Sequence, residues 1–241
     1  MAIRVSVAMA VYNGEKYIGK QLDSILCQLN SLDELVISVD PCEDKSKEIA
    51  MSYASVDSRI RVYDGPGKGV IKNYETALKH VEGDFVFLSD QDDVWLEGKV
   101  ERVLAALEQQ DTMAVLHNAS IANEDLCNII GRFFGKSFNP GILKNIVKNR
   151  YIGCCMAFRK ELLKYALPFP DDLPMHDQWL GLLAKTYGEV SYIDKPLILY
   201  RRHQDTVTGR EKAGMFTKAR WRVSIIKNMM MRSRNQNYGS N

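Results

Sequence analysis

The stretch from Gly83 to Trp95, GDFVFLSDQDDVW, decides how the rest of the chain reads. Phe85 to Leu88 is an apolar run with no polar face, which fits a strand covered by helices on both sides, as in a parallel sheet. It runs into Ser89 and then into Asp90, Asp92 and Asp93. Carboxylates this close repel one another and lose hydration when drawn toward a core, so each requires a partner. In an extended segment Asp90 and Asp92, two residues apart, point the same way. Together they could hold one hard divalent ion, Mn2+ or Mg2+, whose preferred ligands are oxygens. Asp93 has two readings: a water-mediated contact to that ion, or a cap on the helix that follows. The cap is the favoured one, because the helix dipole stabilises an acid there.

Outward from this stretch the chain alternates strand and helix. Ile3 to Ala10 has a strand pattern, and YNGEKYI turns it into a helix around Lys16 to Gln28 with Tyr17, Ile18, Leu22 and Ile25 at helical spacing. ELVISVD is a second strand ending on Asp40, followed by a helix near Ser46 to Ala54. RIRVYD is a third strand, GPGKG a loop, and Val70 to Val81 a third helix. After the acidic stretch, Glu97 to Gln109 is an amphipathic helix with Val100, Val103, Leu104 and Leu107 on its apolar stripe. MAVLHN is the next strand. This alternation predicts an open α/β fold with a doubly wound, mixed sheet flanked by helices and a Rossmann-like N-terminal half.

The second half is less regular. Residues 119 to 150 read as a long connection with a helix ending near Lys148. IGCCMAF reads as a strand, HDQWLGLLAKTYG as a helix stopped by Gly188, and VSYID and LILYRRH as two short strands. One domain is expected over 1–209, with a nucleotide-binding half over 1–118 and an acceptor-side half over 119–209. A basic helical tail is expected over 210–241.

The bulk numbers fit this. The 241 residues are 46% hydrophobic, enough for a real core, and 26% charged, so disorder is not expected. A net charge of +2 argues against a general nucleic-acid binder. Five cysteines without CxxC spacing read as reduced thiols. No run approaches the ~18 apolar residues of a membrane span. The expectation is a cytoplasmic protein, soluble or peripheral on the membrane.

In open α/β sheets ligands sit beyond the carboxyl ends of the strands. Three features fall at such ends: VYNGE, Asp40, and SDQDD. With AVYNGEKYIGKQLDSILCQ, the VD at 39–40, GDFVFLSDQDDVW and HDQW at 176–179, the chain resembles the family-two glycosyltransferases of the GT-A fold. The resemblance runs in order from residue 3 to about 209. LSDQDDVW, HDQW and YRRHQDTVTG look most like bacterial polysaccharide enzymes labelled rhamnosyltransferases.

What the resemblance implies is specific. Asp40 holds the base of a nucleotide-diphosphate sugar, and Ala10, Tyr12 and Glu15 line the base and ribose pocket. Lys72 or Asn73 faces the nucleotide. Asp90 and Asp92 are the DxD metal site, with His203 as a third ligand to Mn2+ or Mg2+, and Asp90 also faces the donor. Asp177 is the general base of an inverting enzyme acting on a glycan or lipid-linked acceptor in surface polysaccharide synthesis, O antigen or capsule. The sequence departs from the family's usual DDGSxD, reading VDPCED from Val39 to Asp44, which leaves the geometry of the base contact open. Trp95 is open between stacking on an acceptor sugar and packing beside the helix.

Two rivals remain at this stage. A nucleotidyltransferase also uses acidic metal sites, but VYNGEKY is a poor phosphate loop. A catalytically inactive nucleotide-sugar-binding scaffold is opposed by the intact Asp90, Asp92 and Asp177. In the tail, Phe216, Trp221, Ile225 and Met229 fall near one another on a helix among basic residues. That pattern suits an interfacial helix on anionic lipid, or equally a helix packed on the domain.

Overall fold

The computed structural model describes residues 4–135, 138, 141–203 and 214–237. The N-terminal half is built as the alternation predicts. Strands β1 (Val5–Val11), β2 (Glu34–Val39), β3 (Ile60–Asp64) and β4 (Phe85–Ser89) lie parallel in the order β3-β2-β1-β4. Helices α1 (Ile18–Leu26), α2 (Ser46–Val56) and α3 (Val70–Lys79) connect them. β2 and β4 are buried along their whole length; β4 accordingly shows no polar face before Ser89, while β2 buries Glu34 and Ser38 as well.

Beyond β4 the sheet turns mixed. β5 (Val94–Trp95) leads into α4 (Lys99–Leu107), then β6 (Thr112–Ala122), β7 (Ile129–Arg132) and α5 (Ile142–Val147). β8 (Met156–Arg159), α6 (Leu163–Ala166), α7 (His176–Tyr187), β9 (Glu189–Arg201) and α8 (Met215–Asn237) complete the described chain. β8 runs antiparallel to both β4 and β6 and so joins the two halves into one sheet.

The structure corrects the reading of the second half in three places. MAVLHN is the middle of an eleven-residue strand that continues to Ala122 and forms a hairpin with β7, so the connection starts later than expected. Gly153–Cys155 is a 3-10 turn, and only Met156 onward is strand. VSYID and LILYRRH are one thirteen-residue strand running parallel to β6. Pro196 pairs with Asn118 where the β6–β9 register shifts, the kind of irregularity that accommodates proline within a sheet.

One pairing places the site. The short β5 lies antiparallel to the end of β9, with Val94 opposite Leu199 and Trp95 opposite Ile198. That register carries Arg201 and His203 back over the acidic residues preceding β5.

The core occupies both faces of the sheet. One cluster gathers α1, α4 and the faces of β1 and β4 around Leu22, Phe87 and Val103; the other gathers α3 and α7 around Tyr74, Phe158 and Trp179. Gly181 lets α7 approach Tyr151 closely, since a Cβ there would lie 2.3 Å from the ring. Gly181→Ala gains about 1 kcal/mol of helix propensity, while forcing the ring aside costs about 1–3 kcal/mol. The overlap is severe enough for the cost to win. A lower urea midpoint at unchanged slope is expected in equilibrium denaturation.

Candidate active site

The carboxyl ends of β1, β2 and β4 form one connected edge. Gln91, the residue between the two aspartates, fastens the acidic stretch to the end of β1. Its Oε1 accepts from the Tyr12 amide and its Nε2 donates to the Tyr12 carbonyl, both at 2.8 Å. Gly14 is required for this approach, because a Cβ there would lie 2.4 Å from the Gln91 side chain.

On the β2 side, the Asp40 amide donates to the Val11 carbonyl at 2.9 Å, and its Oδ1 accepts from the Gly67 amide at 2.9 Å. Asn73 donates to the same Val11 carbonyl at 3.0 Å and leaves its buried Oδ1 without a partner. Gly65 separates Asp40 from Asn73, since a Cβ there would lie 2.4 Å and 2.5 Å from their side-chain oxygens. Asp40, Asn73 and the Gly65–Gly69 loop thus line one wall. Lys72 does not join them. It bonds Glu75, Asp171 and the Phe169 carbonyl and is turned toward the loop before α7.

Ala10 is half-buried near the end of β1, and the Tyr12 side chain is 56% exposed, open at the mouth of this wall. Glu15 is exposed and accepts from the Lys45 amide at 2.9 Å, while its own amide donates to Asp44. It ties the β1 turn to the start of α2.

The acidic stretch itself is bent, so the alternation expected of an extended segment does not apply after Ser89. Asp90 and Asp93 turn toward each other and toward Cys154, with one ligand atom of each within 4.8 Å of the others. Asp92 turns the other way and meets His203, Oδ2 to Nε2 at 2.7 Å. The Tyr17 ring packs on the His203 ring with centroids 4.9 Å apart.

Each carboxylate has its own support. Tyr74, fully buried on α3, donates its hydroxyl to Asp90 Oδ1 at 2.7 Å and lies 2.7 Å from the Ser89 carbonyl. Asp93 is not a helix cap. It is 1% exposed, its Oδ1 accepts from the Arg201 amide at 3.1 Å, and the N-cap of α4 is Gly98. The tight turn at Gly98 separates Asp93 from the helix, and the β5–β9 pairing supplies its partner instead. Arg201 also donates from Nε to the Asp92 carbonyl at 2.6 Å.

Burial sets the titration of this group. It lifts the Asp90 carboxyl to about 6, helped by the Asp92 charge, and lifts Asp93 well above the usual range. Burial also lowers the Lys99 ammonium to about 8. That ammonium donates to the Cys154 carbonyl at 3.0 Å and sits 3.9 Å from the centre of the Trp95 ring. Trp95 is 3% exposed against Phe87, which resolves its two readings in favour of packing.

Asp177 lies in the first turn of α7 and is buried. Its Oδ1 accepts from Asn149 Nδ2 at 2.8 Å and from the Gln178 amide at 2.6 Å. These bonds lower its pKa, but burial outweighs them and the Asp90 charge adds to burial, so the carboxyl rises to about 7. Its neighbour His176 stacks on Tyr74 at 4.1 Å between centroids, and burial lowers its imidazole to about 3. Tyr74 therefore touches both walls, by hydroxyl to Asp90 and by ring to His176.

Gln91, Tyr74, Asn149 and Arg201 were missed in sequence. Arg201 lay in view within YRRH, and Gln91 sat inside the motif itself. Tyr74 and Asn149 carry no local signal, because their role exists only through packing. Among the described residues the expected set of Asp90, Asp92 and His203 is not gathered: Asp92 and His203 pair with each other, an oxygen and an imidazole nitrogen that suit Mn2+ or Mg2+, while Asp90 faces Asp93 and Cys154.

Residues 6–166 match the family described as glycosyl transferase family 2, and the chain belongs to it. It is 28% identical to the dTDP-rhamnosyl transferase RfbG of Shigella flexneri, over 93% of this chain and 81% of that protein. It is 26% identical to the UDP-Glc:alpha-D-GlcNAc-diphosphoundecaprenol beta-1,3-glucosyltransferase WfgD of Escherichia coli, over 86% and 80%. In three dimensions it superposes on S. aureus TarS 1-349 in complex with UDP-GlcNAc with a TM-score of 0.72 at 21% identity, covering 93% of this chain and 66% of that one. The mannosyltransferase PcManGT from Pyrobaculum calidifontis, in complex with GDP-Man and Mn2+, gives 0.62 at 20%, covering 87% and 59%. The fold is that of the GT-A glycosyltransferases, as expected.

Tyr74→Phe keeps the stack on His176 but strands Asp90 Oδ1. A stability loss of about 1–3 kcal/mol is expected. The Asp90 carboxyl should also titrate higher than in the wild type, because a bond that favours its charged form is gone, and carbon-detected NMR of the aspartate carboxyls reads this directly.

Proposed function

We propose that this chain is an inverting, metal-dependent glycosyltransferase. It moves a sugar from a nucleotide-diphosphate donor to a glycan or lipid-linked acceptor in bacterial surface polysaccharide synthesis, at the cytoplasmic face of the membrane. The observation that carries this reading is Asp177: a carboxyl poised at about 7, held by Asn149 at the start of α7, and close enough to the acidic stretch to feel the charge of Asp90. The activities named for RfbG and WfgD, both sugar transferases with nucleotide-linked donors, support the substrate class.

The roles follow from chemistry. The wall of Asp40, Asn73 and the Gly65–Gly69 loop takes the base and ribose, with Ala10 and Tyr12 beside it; Glu15 holds the turn that presents them. Asp90, Asp92 and His203 would hold the divalent ion. When bound, that ion stabilises the charge developing on the leaving diphosphate. Asp177 accepts the proton of the acceptor hydroxyl as its oxygen bonds to the anomeric carbon and the bond to the diphosphate oxygen breaks. One displacement with one base inverts the anomeric centre, and no covalent sugar–enzyme bond is needed.

Asp177 must be ionised to act, and below its pKa it holds a proton. The rate should therefore rise with pH up to about 7 and level off above it. Asp177→Asn should lose transfer by on the order of 10²–10⁴-fold while still binding donor and metal; survival of transfer would place the base elsewhere. Asp92→Ala should raise the Mn2+ concentration needed for donor binding by at least about ten-fold, read by thermal shift. No metal-dependent release of nucleoside diphosphate from any nucleotide sugar would favour the inactive scaffold.

A further inference from the structure

α8 has two apolar faces, and the fold uses one. Ile225 is 1% exposed within the core cluster of Trp179 and Leu180, with Met229 packed against it and Trp221 half-buried alongside. On the same side Arg222 donates to the Val147 carbonyl, and Arg232 donates to the carbonyls of Leu167 and Pro168. The stripe legible in the sequence is thus mostly the inward face, and Phe216 does not belong to it.

The other face points away from the domain. Phe216 is 86% exposed, Val223 66% and Ile226 39%, with Met215 at 87% one turn before Ala219. Phe216 and Val223 are seven residues apart and so share one line along the helix, and Ile226 lies one turn further on. Arg220 and Lys227 are exposed on the same side, and from Lys212 to Asn241 the sequence contains no Asp or Glu.

We propose that this outward face of α8 is a docking surface for an anionic lipid bilayer. Apolar side chains entering the interface while adjacent cations meet lipid phosphates is the physics of an interfacial helix. Among the described residues no helix is long and apolar enough to cross a membrane. A second copy of the chain is the poorer occupant, because a two-fold contact through this stripe would set identical cations against one another. Nucleic acid would satisfy the cations and leave the stripe unused. α8 is tied to the segment before α7 through Arg232 and through Asn228, which donates to Asp172 at 3.3 Å. α8 therefore packs beside the loop leading to Asp177, and docking of its outward face would bring a lipid-linked acceptor to that side of the domain. That last link rests on the function proposed above; the docking itself does not.

The test is co-sedimentation of the full chain, without donor or metal, with phosphatidylcholine vesicles and with vesicles containing phosphatidylglycerol. Binding is expected only to the second, falling as salt rises. The double reversal Arg220→Glu, Lys227→Glu should weaken it at least about ten-fold. Phe216→Ser with Val223→Ser should weaken it even at low salt, with unchanged melting because Trp221, Ile225 and Met229 remain. Absence of wild-type binding, equal binding to both vesicles, or reversal without effect would overturn the proposal. So would sedimentation equilibrium showing a dimer that the Phe216→Ser, Val223→Ser variant dissociates. The wild-type arm decides alone if the variants do not fold. Vesicle binding that persists where UDP, GDP and dTDP with Mn2+ fail to bind would leave this proposal standing and remove only the donor reading.

Discussion

Everything at the carboxyl edge of this sheet depends on keeping Asp90, Asp92 and Asp93 in one short bend without their charges forcing it open. The fold does so by giving each a separate partner from a different part of the chain. Tyr74 of α3 holds Asp90, the Arg201 amide holds Asp93, and His203 meets Asp92. None of these partners lies within ten residues of the stretch, so the bend exists only in the folded state. The residual cost is visible as carboxyls lifted above their usual range.

The same partners join the acidic bend to α7 and β9. Tyr74 reaches the acidic bend through its hydroxyl and His176 through its ring, and His176 precedes Asp177. The β5–β9 pairing brings the end of the last strand over the bend. A displacement of α7 or β9 would thus be felt at the carboxylates, which is how a packed core fixes reacting groups to a fraction of an ångström.

Much of this was legible in sequence, for identifiable reasons. The parallel half followed from the alternation of strand and helix patterns, with β4 buried on both faces and so written as an unbroken apolar run. Asp40, Asp90, Asp92 and Asp177 stood out because carboxylates at strand ends and helix starts are local features. The rest was not local. Asp93 looks like a cap until β9 is laid beside β5, and Lys72 looks free for phosphate until Asp171 and Phe169 are brought to it. That VSYID and LILYRRH form one strand depends on their shared pairing with β6, whose register shifts at Pro196. In α8 the hydrophobic spacing was readable, but which of its two stripes faced inward required the domain to be present.

The central claim is that the Asp92–His203 pair, with Asp90, is where a divalent ion meets the donor diphosphate. Proton NMR of the histidine rings during addition of Mn2+ with UDP, GDP or dTDP tests it most directly, since a paramagnetic ion broadens only nearby resonances. The account predicts that the His203 ring signals broaden first and that those of His80, stacked on Tyr63 outside the site, stay sharp. Sharp His203 signals at saturating Mn2+ and nucleotide would contradict it.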